Sequence, residues 1–276
     1  YGALPVVYAG FLLGIPIIIH ESDSVPGKSN KLAAPFAKKI LLAFESSKNY
    51  FLPEKVAVVG NPIRDTILNN NISAEKAKQY FKFLPDKPVV LFLGGSQGSQ
   101  RINDLVLDCL EELIKNDVQV LHQTGPKNFK EIFLEAKVIL EFLPELYQNF
   151  YQARDFFHEP EYLNALAAAD LIVARAGSGV IFEIAASKKP AILIPLPEAA
   201  HNHQYLNAVE YARFGGAIVI EEKNATANLL ARNILNILDN PIKMNNMING
   251  AKLFIKQDAA EIIAKEILNV LDLNFE

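Results

Sequence analysis

The chain has 276 residues, of which 50% are hydrophobic and 21% charged, with a formal net charge of −4. This composition excludes a disordered chain, and without a long Lys/Arg block it excludes nucleic acid as the main partner. One cysteine, Cys109, excludes an internal disulfide framework and fits a reducing compartment, the cytoplasm.

In chain order, the first apolar stretch, Pro5 to Ile19, is broken by Gly10, Gly14 and Pro16 and ends in His20-Glu21. With neither a basic leader nor a small-residue cleavage site, it reads as neither signal peptide nor membrane span. The sequence starts at Tyr1 without a methionine, and a further N-terminal piece is expected before it. Short Val/Ile/Leu runs then alternate with segments of helical period, the pattern of βα units and mostly parallel sheet. Strands are expected at Ile15–Glu21, Lys39–Phe44, Lys55–Gly60, Pro88–Gly95, Val118–Gly125, Leu171–Gly177, Pro190–Leu196 and Gly216–Glu222. Eight strands suit two sheets better than one. Helices are expected at Lys28–Ala37, Ser73–Phe83, Gln100–Lys115, Pro160–Ala169, Gly179–Ser187 and His201–Phe214, with three more from Thr226, Pro241 and Asp258. In Gln100–Lys115, Ile102, Leu105, Val106, Cys109, Leu110 and Leu113 share one face, so Cys109 reads as a core thiol. The turn Gly60-Asn61-Pro62, followed by the Asn69-Asn70-Asn71 run, places a domain boundary near Arg64. Tyr147 to His158 is aromatic and polar without a clean period.

The chemistry concentrates where strands end. His20-Glu21-Ser22-Asp23 puts titratable groups on a strand-end loop. Leu91 to Ser99 runs an apolar strand into Gly94-Gly95-Ser96-Gln97-Gly98 and then a helix. Glycines let backbone approach a ligand, and the amides and positive end of the helix favour phosphate oxygens. Gly-Lys-Ser/Thr is absent, so this is not a P-loop, and a ligand-free βα turn would use the same residues. A second loop, Ala174-Arg175-Ala176-Gly177-Ser178-Gly179, follows the strand at Leu171, and two such loops on one sheet edge reinforce each other. Glu183, one turn into the next helix, suits the two hydroxyls of a ribose, or simply complements the helix dipole. His203, Gln204 and Asn207 share a helix face able to read sugar hydroxyls. His201 and His203, two apart, cannot form a zinc pair on one helix face. No Asp-x-Asp pair is present, so a metal-independent mechanism is expected, with loops and helix ends stabilising a leaving diphosphate.

Together, His20-Glu21 with Pro26-Gly27, Gly60-Asn61-Pro62-Ile63-Arg64, Gly94-Gly95-Ser96-Gln97-Gly98, Arg175-Ala176-Gly177 with Glu183, and His203-Gln204 with Asn207 resemble the MurG family in order and spacing over nearly the whole chain. These are the peptidoglycan N-acetylglucosaminyltransferases. The resemblance implies an α/β GT-B fold, two doubly wound Rossmann-like domains facing a cleft, the N-terminal one incomplete. Residues 1–64 would be a partial acceptor domain, with 257–276 crossing back to it, and 65–256 the UDP-sugar-binding domain. The implied activity is an inverting hexosyltransfer from UDP-N-acetylglucosamine to the muramyl sugar of lipid I, giving lipid II for cell-wall growth, shape and division. Ser96 would face the diphosphate, with the Ser178-Gly179-Val180 loop nearby and Gln97 and Gly98 also contacting the donor; Glu183 would hold the ribose; His158 or its neighbour Phe157 would line the uracil pocket. Gln204, with His203 and Asn207, would read the sugar, and Arg64 and Asp23 would contact the donor. Asp23 stands where the family usually has Asn, and Val180 where it has Thr. The family's first glycine loop and proposed base would precede Tyr1, leaving His20 and Glu21 as the candidates within this chain, which is expected to bind donor but turn it over poorly. Partners implied are the lipid-linked muramyl-peptide acceptor and the inner face of the bacterial plasma membrane, with Lys28, Lys31, Lys38 and Lys39 around Phe36 as a basic patch. The alternatives are another UDP-sugar enzyme of this fold, a lipid glucosyltransferase or epimerase, or a non-catalytic donor-binding half needing a partner chain.

Overall fold

The computed structural model describes residues 2–197, 202–256 and 258–271. Two parallel sheets form. In the first, β1 (Ile18–Glu21), β2 (Lys39–Leu42) and β3 (Val56–Val58) lie in the order β1-β2-β3. In the second, β4 (Val89–Leu93), β5 (Gln119–Gln123), β6 (Tyr151–Arg154), β7 (Leu171–Ala174), β8 (Ala191–Leu193) and β9 (Ala217–Val219) lie in the order β6-β5-β4-β7-β8-β9. Every residue of β4 and β5 is buried, as a parallel sheet covered on both faces requires. The order reverses between β4 and β7, so the crevice outside their carboxyl ends is the topological switch point of the sheet, where ligands bind in such folds.

All eight expected strands form, each shorter than its apolar run because the ladder ends where the chain turns toward a helix. The first strand starts at Ile18; the residues before it instead form α1 (Leu4–Leu12), where Pro5 sits in the first turn and blocks no intrahelical bond. Among the described residues no helix is long and apolar enough to cross a membrane. After α2 (Lys28–Ala33), α3 (Asp65–Leu68) and α4 (Ala74–Tyr80) comes α5 (Gln100–Lys115), capped by Ser99 Oγ, which accepts from Ile102 N at 3.3 Å. Its apolar face is buried, and burial pushes the Cys109 thiol up to about 12. Besides α1 and the short α3, two elements lie outside the expected series. One is α6 (Phe129–Glu141), whose Ile132, Ala136 and Leu140 face inward at helical spacing. The other is β6, an edge strand burying only Tyr151 and Ala153, too short for its period to stand out from Tyr147 to His158. The series continues with α7 (Glu159–Ala168), α8 (Ser178–Ala186), α9 (His203–Arg213), α10 (Ala227–Leu238), α11 (Pro241–Phe254) and α12 (Ala259–Val270). The expected helix start at His201 and the residue Gln257 lie outside the described residues.

The second sheet carries an apolar layer on each face, and one layer continues to the first sheet through Ala43 and Phe44. The Phe44 ring lies 5.3 Å from Phe182 and 5.8 Å from Phe254. The last helix, α12, reaches the first sheet: Lys39 pairs with Glu266 at 3.4 Å and Lys38 Nζ donates to Val270 O at 3.1 Å.

Candidate functional site

Two glycine loops and two helix N-termini meet at the β4/β7 switch point. After β4 the chain turns with Gly95 at φ +89° and Gly98 at φ +79°, conformations that favour glycine. Space also demands it at Gly98, where a Cβ would lie 2.2 Å from Thr124 O. Ser96 and Gln97 are exposed at the tip, and Gly98 leads into Ser99 and α5. After β7, Gly177 caps α8 and leaves Gly179 and Val180 facing the same space. A cavity of about 590 Å³ opens between the loops, and a second of about 290 Å³ adjoins it, sharing Gly95, Ser96, Arg175 and Val180. Helix amides and glycine backbone at one end, and a carboxylate and aromatic rings at the other, are the complement of a nucleoside diphosphate.

The smaller cavity is walled by Phe156, Phe157 and His158, with the Phe156 and His158 rings 5.5 Å apart. Gln123, beneath them, accepts from Phe157 N at 3.1 Å and donates to Gly95 O at 3.0 Å, tying the aromatic wall to the glycine loop. Deeper lies Glu183. Arg64 Nη2 is 2.9 Å from its Oε1, and Tyr162 Oη donates to its Oε2 at 2.8 Å. Burial, reinforced by the adjacent Glu183 carboxylate, holds the Tyr162 hydroxyl well above its ordinary range, so it remains a donor.

Arg175 lies under both cavities, 8% exposed. Its Nη2 donates to Ser99 Oγ at 2.6 Å, its Nη1 to Ile194 O at 3.1 Å, and it is ion-paired with Glu222. Tyr162, Gln123 and Phe156 thus join the site although nothing in their local sequence marks a site role, whereas Arg175 carried a signal, its place in the second glycine loop.

Ser178, Asn207 and Asp23 sit between the two sheets. Ser178 Oγ donates to Ser22 O and accepts from Asn61 Nδ2 at 3.4 Å, so its hydroxyl is directed across the seam rather than into either cavity. Asn207 is fully buried; its Nδ2 donates to Asp23 Oδ1 at 2.8 Å and its Oδ1 accepts from Ser24 N at 2.8 Å. Asp23 therefore faces Asn207. Gln204 lines the larger cavity, and its Oε1 accepts from Leu196 N at 3.0 Å and Ala176 N at 3.3 Å, bracing the β7 and β8 loops. His203 begins α9, half-buried. Glu21 is 3% exposed, and its carboxylate accepts from Asp23 N, Gly27 N and Asn30 Nδ2 at 3.1, 3.0 and 2.8 Å, which engages it in holding its own loop. His20 Nε2 lies within hydrogen-bond reach of a carbonyl, 3.1 Å from Gly60 O. Among the described residues no group of three or more His, Cys, Asp or Glu is arranged to hold a metal ion.

The family description "Glycosyltransferase family 28 C-terminal domain" matches residues 89–263, and "Glycosyltransferase family 28 N-terminal domain" matches residues 1–42. The chain is 36% identical over 267 residues to the UDP-N-acetylglucosamine--N-acetylmuramyl-(pentapeptide) pyrophosphoryl-undecaprenol N-acetylglucosamine transferase of Thermoanaerobacter sp. (strain X514), covering 96% of this chain and 71% of that protein. Its structure is similar to that of MurG from Acinetobacter baumannii, with a TM-score of 0.74 and 26% identity over 98% of this chain and 71% of the other. A UDP-GlcNAc 2-epimerase from Neisseria meningitidis bound to UDP-GlcNAc has a TM-score of 0.68 at 16% identity, covering 96% of this chain and 73% of that one. That likeness is one of fold alone.

Proposed function

The chain belongs to the MurG family, within glycosyltransferase family 28, and from that membership we infer that it transfers N-acetylglucosamine from UDP-N-acetylglucosamine to the muramyl sugar of lipid I, giving lipid II for peptidoglycan. It is a UDP-sugar-dependent hexosyltransferase of GT-B fold. The observation that carries the site assignment is the convergence of the α5 and α8 N-termini on two adjoining cavities that end at Glu183. The diphosphate lies against Ser96, Gln97, Gly98, Gly179 and Val180, the ribose against Glu183, and the uracil against Phe156 to His158. Gln204 borders the space left for the sugar. Arg64 stands at the hinge between an acceptor part, residues 1–64 with the last helix, and a donor part, residues 65–256.

Chemistry follows from this placement. Binding both ends of the UDP fixes the anomeric carbon, and an acceptor hydroxyl, giving its proton to a base, attacks from the opposite face. The bond to the diphosphate breaks as the new glycosidic bond forms, and the negative charge that develops on UDP is met by the two helix ends and the loop amides. Such stabilisation needs no paired carboxylates. With Glu21 already accepting three hydrogen bonds, His20 is the first residue of this chain to mutate in a search for the base.

The acceptor is lipid-linked, and the protein works at the inner membrane face in the cytoplasm. The exposed side chains of Val6, Phe11, Leu12, Leu13 and Ile15 support contact with lipid there. The basic patch contributes less than its composition implies, since Lys31 stacks on Tyr50 and Lys38 and Lys39 are engaged with α12.

The test is transfer of labelled N-acetylglucosamine to lipid I, with UDP-glucose as competitor. Incorporation into lipid II, resisted only weakly by UDP-glucose, is expected, because a site built to hydrogen-bond the acetamido group rejects the analogue lacking it. Equal competition by UDP-glucose would overturn the donor assignment.

A further inference from the structure

Behind the first glycine loop lies a chain of buried polar groups that touches no part of the cavity. His122, on β5, is wholly buried; its Nδ1 is 3.0 Å from Tyr151 Oη on β6 and its Nε2 is 3.0 Å from Asn103 Oδ1 on α5. Asn103, equally buried, donates through Nδ2 to Thr124 O at 3.0 Å. That last bond settles the rest. Because the Asn103 amide nitrogen faces a carbonyl, its Oδ1 faces the ring and needs an N–H, so Nε2 carries the proton and Nδ1 accepts from the Tyr151 hydroxyl. The three side chains form one directional relay in an otherwise apolar layer that includes Phe92, Ile102 and Val106. Every ring nitrogen is satisfied, as a buried imidazole requires.

The relay fixes two parts of the loop. Asn103 is in the first turn of α5, the helix whose N-terminus faces the larger cavity, and Thr124 O is the atom against which Gly98 is pressed, at 2.2 Å from where a Cβ would be. Thr124 N donates to Arg154 O at 2.9 Å, so the carbonyl's residue is also anchored from β6. Apolar side chains could fill the same volume and give similar stability, but they could not fix the direction of that carbonyl or the height of α5 above β5.

We propose that His122, acting through Asn103, is a positioning residue for the donor diphosphate: it sets the register between the α5 N-terminus, the Thr124 carbonyl and the Gly98 backbone, so that the loop amides face the phosphate oxygens. This rests on the reading of the loop as the diphosphate site.

The experiment compares UDP with uridine, titrated into the full chain by calorimetry, because uridine tests the base and ribose pocket without the loop. In the parent, UDP binds more tightly than uridine; equal affinities there would sink the diphosphate reading itself. His122→Leu lowers UDP affinity about tenfold while uridine affinity changes by less than about twofold. His122→Gln, whose amide can still donate to Asn103, recovers most of the loss. If His122→Leu leaves UDP affinity unchanged, weakens both ligands by the same factor, or is not rescued by Gln, the positioning role is wrong. Should His122→Leu not fold, Asn103→Ala, which removes the bond to Thr124, takes its place: a selective loss of UDP affinity supports the positioning role, and an unchanged UDP-to-uridine ratio overturns it.

Discussion

Arg64 and Glu183, 119 residues apart in the chain, meet with Arg64 Nη2 2.9 Å from Glu183 Oε1, and the guanidinium lies 5.3 Å over the ring of Tyr162. The pair is 44% and 23% exposed, so its own stabilising effect is small. Its consequence is orientation: an arginine preceding α3 and a tyrosine from α7 hold the carboxylate of α8 in place, oriented for the ribose proposed to bind there.

Glu183→Ala should therefore weaken UDP binding by about 1.5–3 kcal/mol through loss of a charged acceptor, and Tyr162→Phe by about 0.5–1.5 kcal/mol through loss of its orientation. Calorimetry measures both. Parent-like affinity in Glu183→Ala would remove this residue from the ribose site.

The two positive-φ glycines of the first loop should respond differently to the same change. At Gly95 a Cβ meets nothing within 4 Å, so Gly95→Ala costs only backbone strain, roughly 1–2 kcal/mol. At Gly98 it would collide with the Thr124 and Gly125 backbone, and Gly98→Ala should cost more than about 3 kcal/mol and abolish UDP binding. Denaturant midpoints and UDP titration of both variants test the difference.

Asn207 joins α9 to the Asp23–Ser24 loop across 183 residues of sequence. Replacing it with Ala leaves the buried Ser24 N–H unpaired, and a stability loss of about 1–3 kcal/mol is expected, measured by urea unfolding. An unchanged midpoint would show that the seam does not depend on this amide.

Burial lowers the His122 pKa to about 3 from 6.5. The unfolded chain then takes up a proton near pH 6.5 that the native chain refuses, so this residue's contribution is complete above pH 6.5 and is lost as the pH falls toward 3, by up to about 1.4 kcal/mol per pH unit. His122→Gln should flatten the acid limb of the stability profile relative to the parent, roughly between pH 6 and 4, the window between the two values. Identical slopes would mean that the imidazole is not buried in solution.

UDP affinity should be the same in EDTA and in magnesium, because in the proposed site helix ends and loop amides take the diphosphate charge. A loss on chelation that magnesium restores would replace this picture with a metal-bridged one.

Local signals in the sequence determined a good deal. Runs such as Val89 to Leu93 mark buried parallel strands because both faces of such a sheet are covered, and Gly94 to Gly98 and Gly177 to Gly179 mark the strand-to-helix turns whose backbone can approach an anion. Strand β6 and helix α6 were less legible: β6 is a four-residue edge strand with one buried face, lying among aromatics that obscure its period. Only the tertiary structure decided how the polar side chains are used. Asn207, on the helix face expected to read a sugar, turns its amide to Asp23 and Ser24; Ser178, at a helix N-terminus, turns its hydroxyl to Ser22; Glu183 is met by Arg64 and Tyr162. Periodicity reports which face of an element is buried, through neighbours a few residues away. It carries no information on which hydrogen-bond partner, on the order of a hundred residues distant, the packing of the two sheets will bring within reach, and that choice decides whether a polar group serves the ligand or the fold.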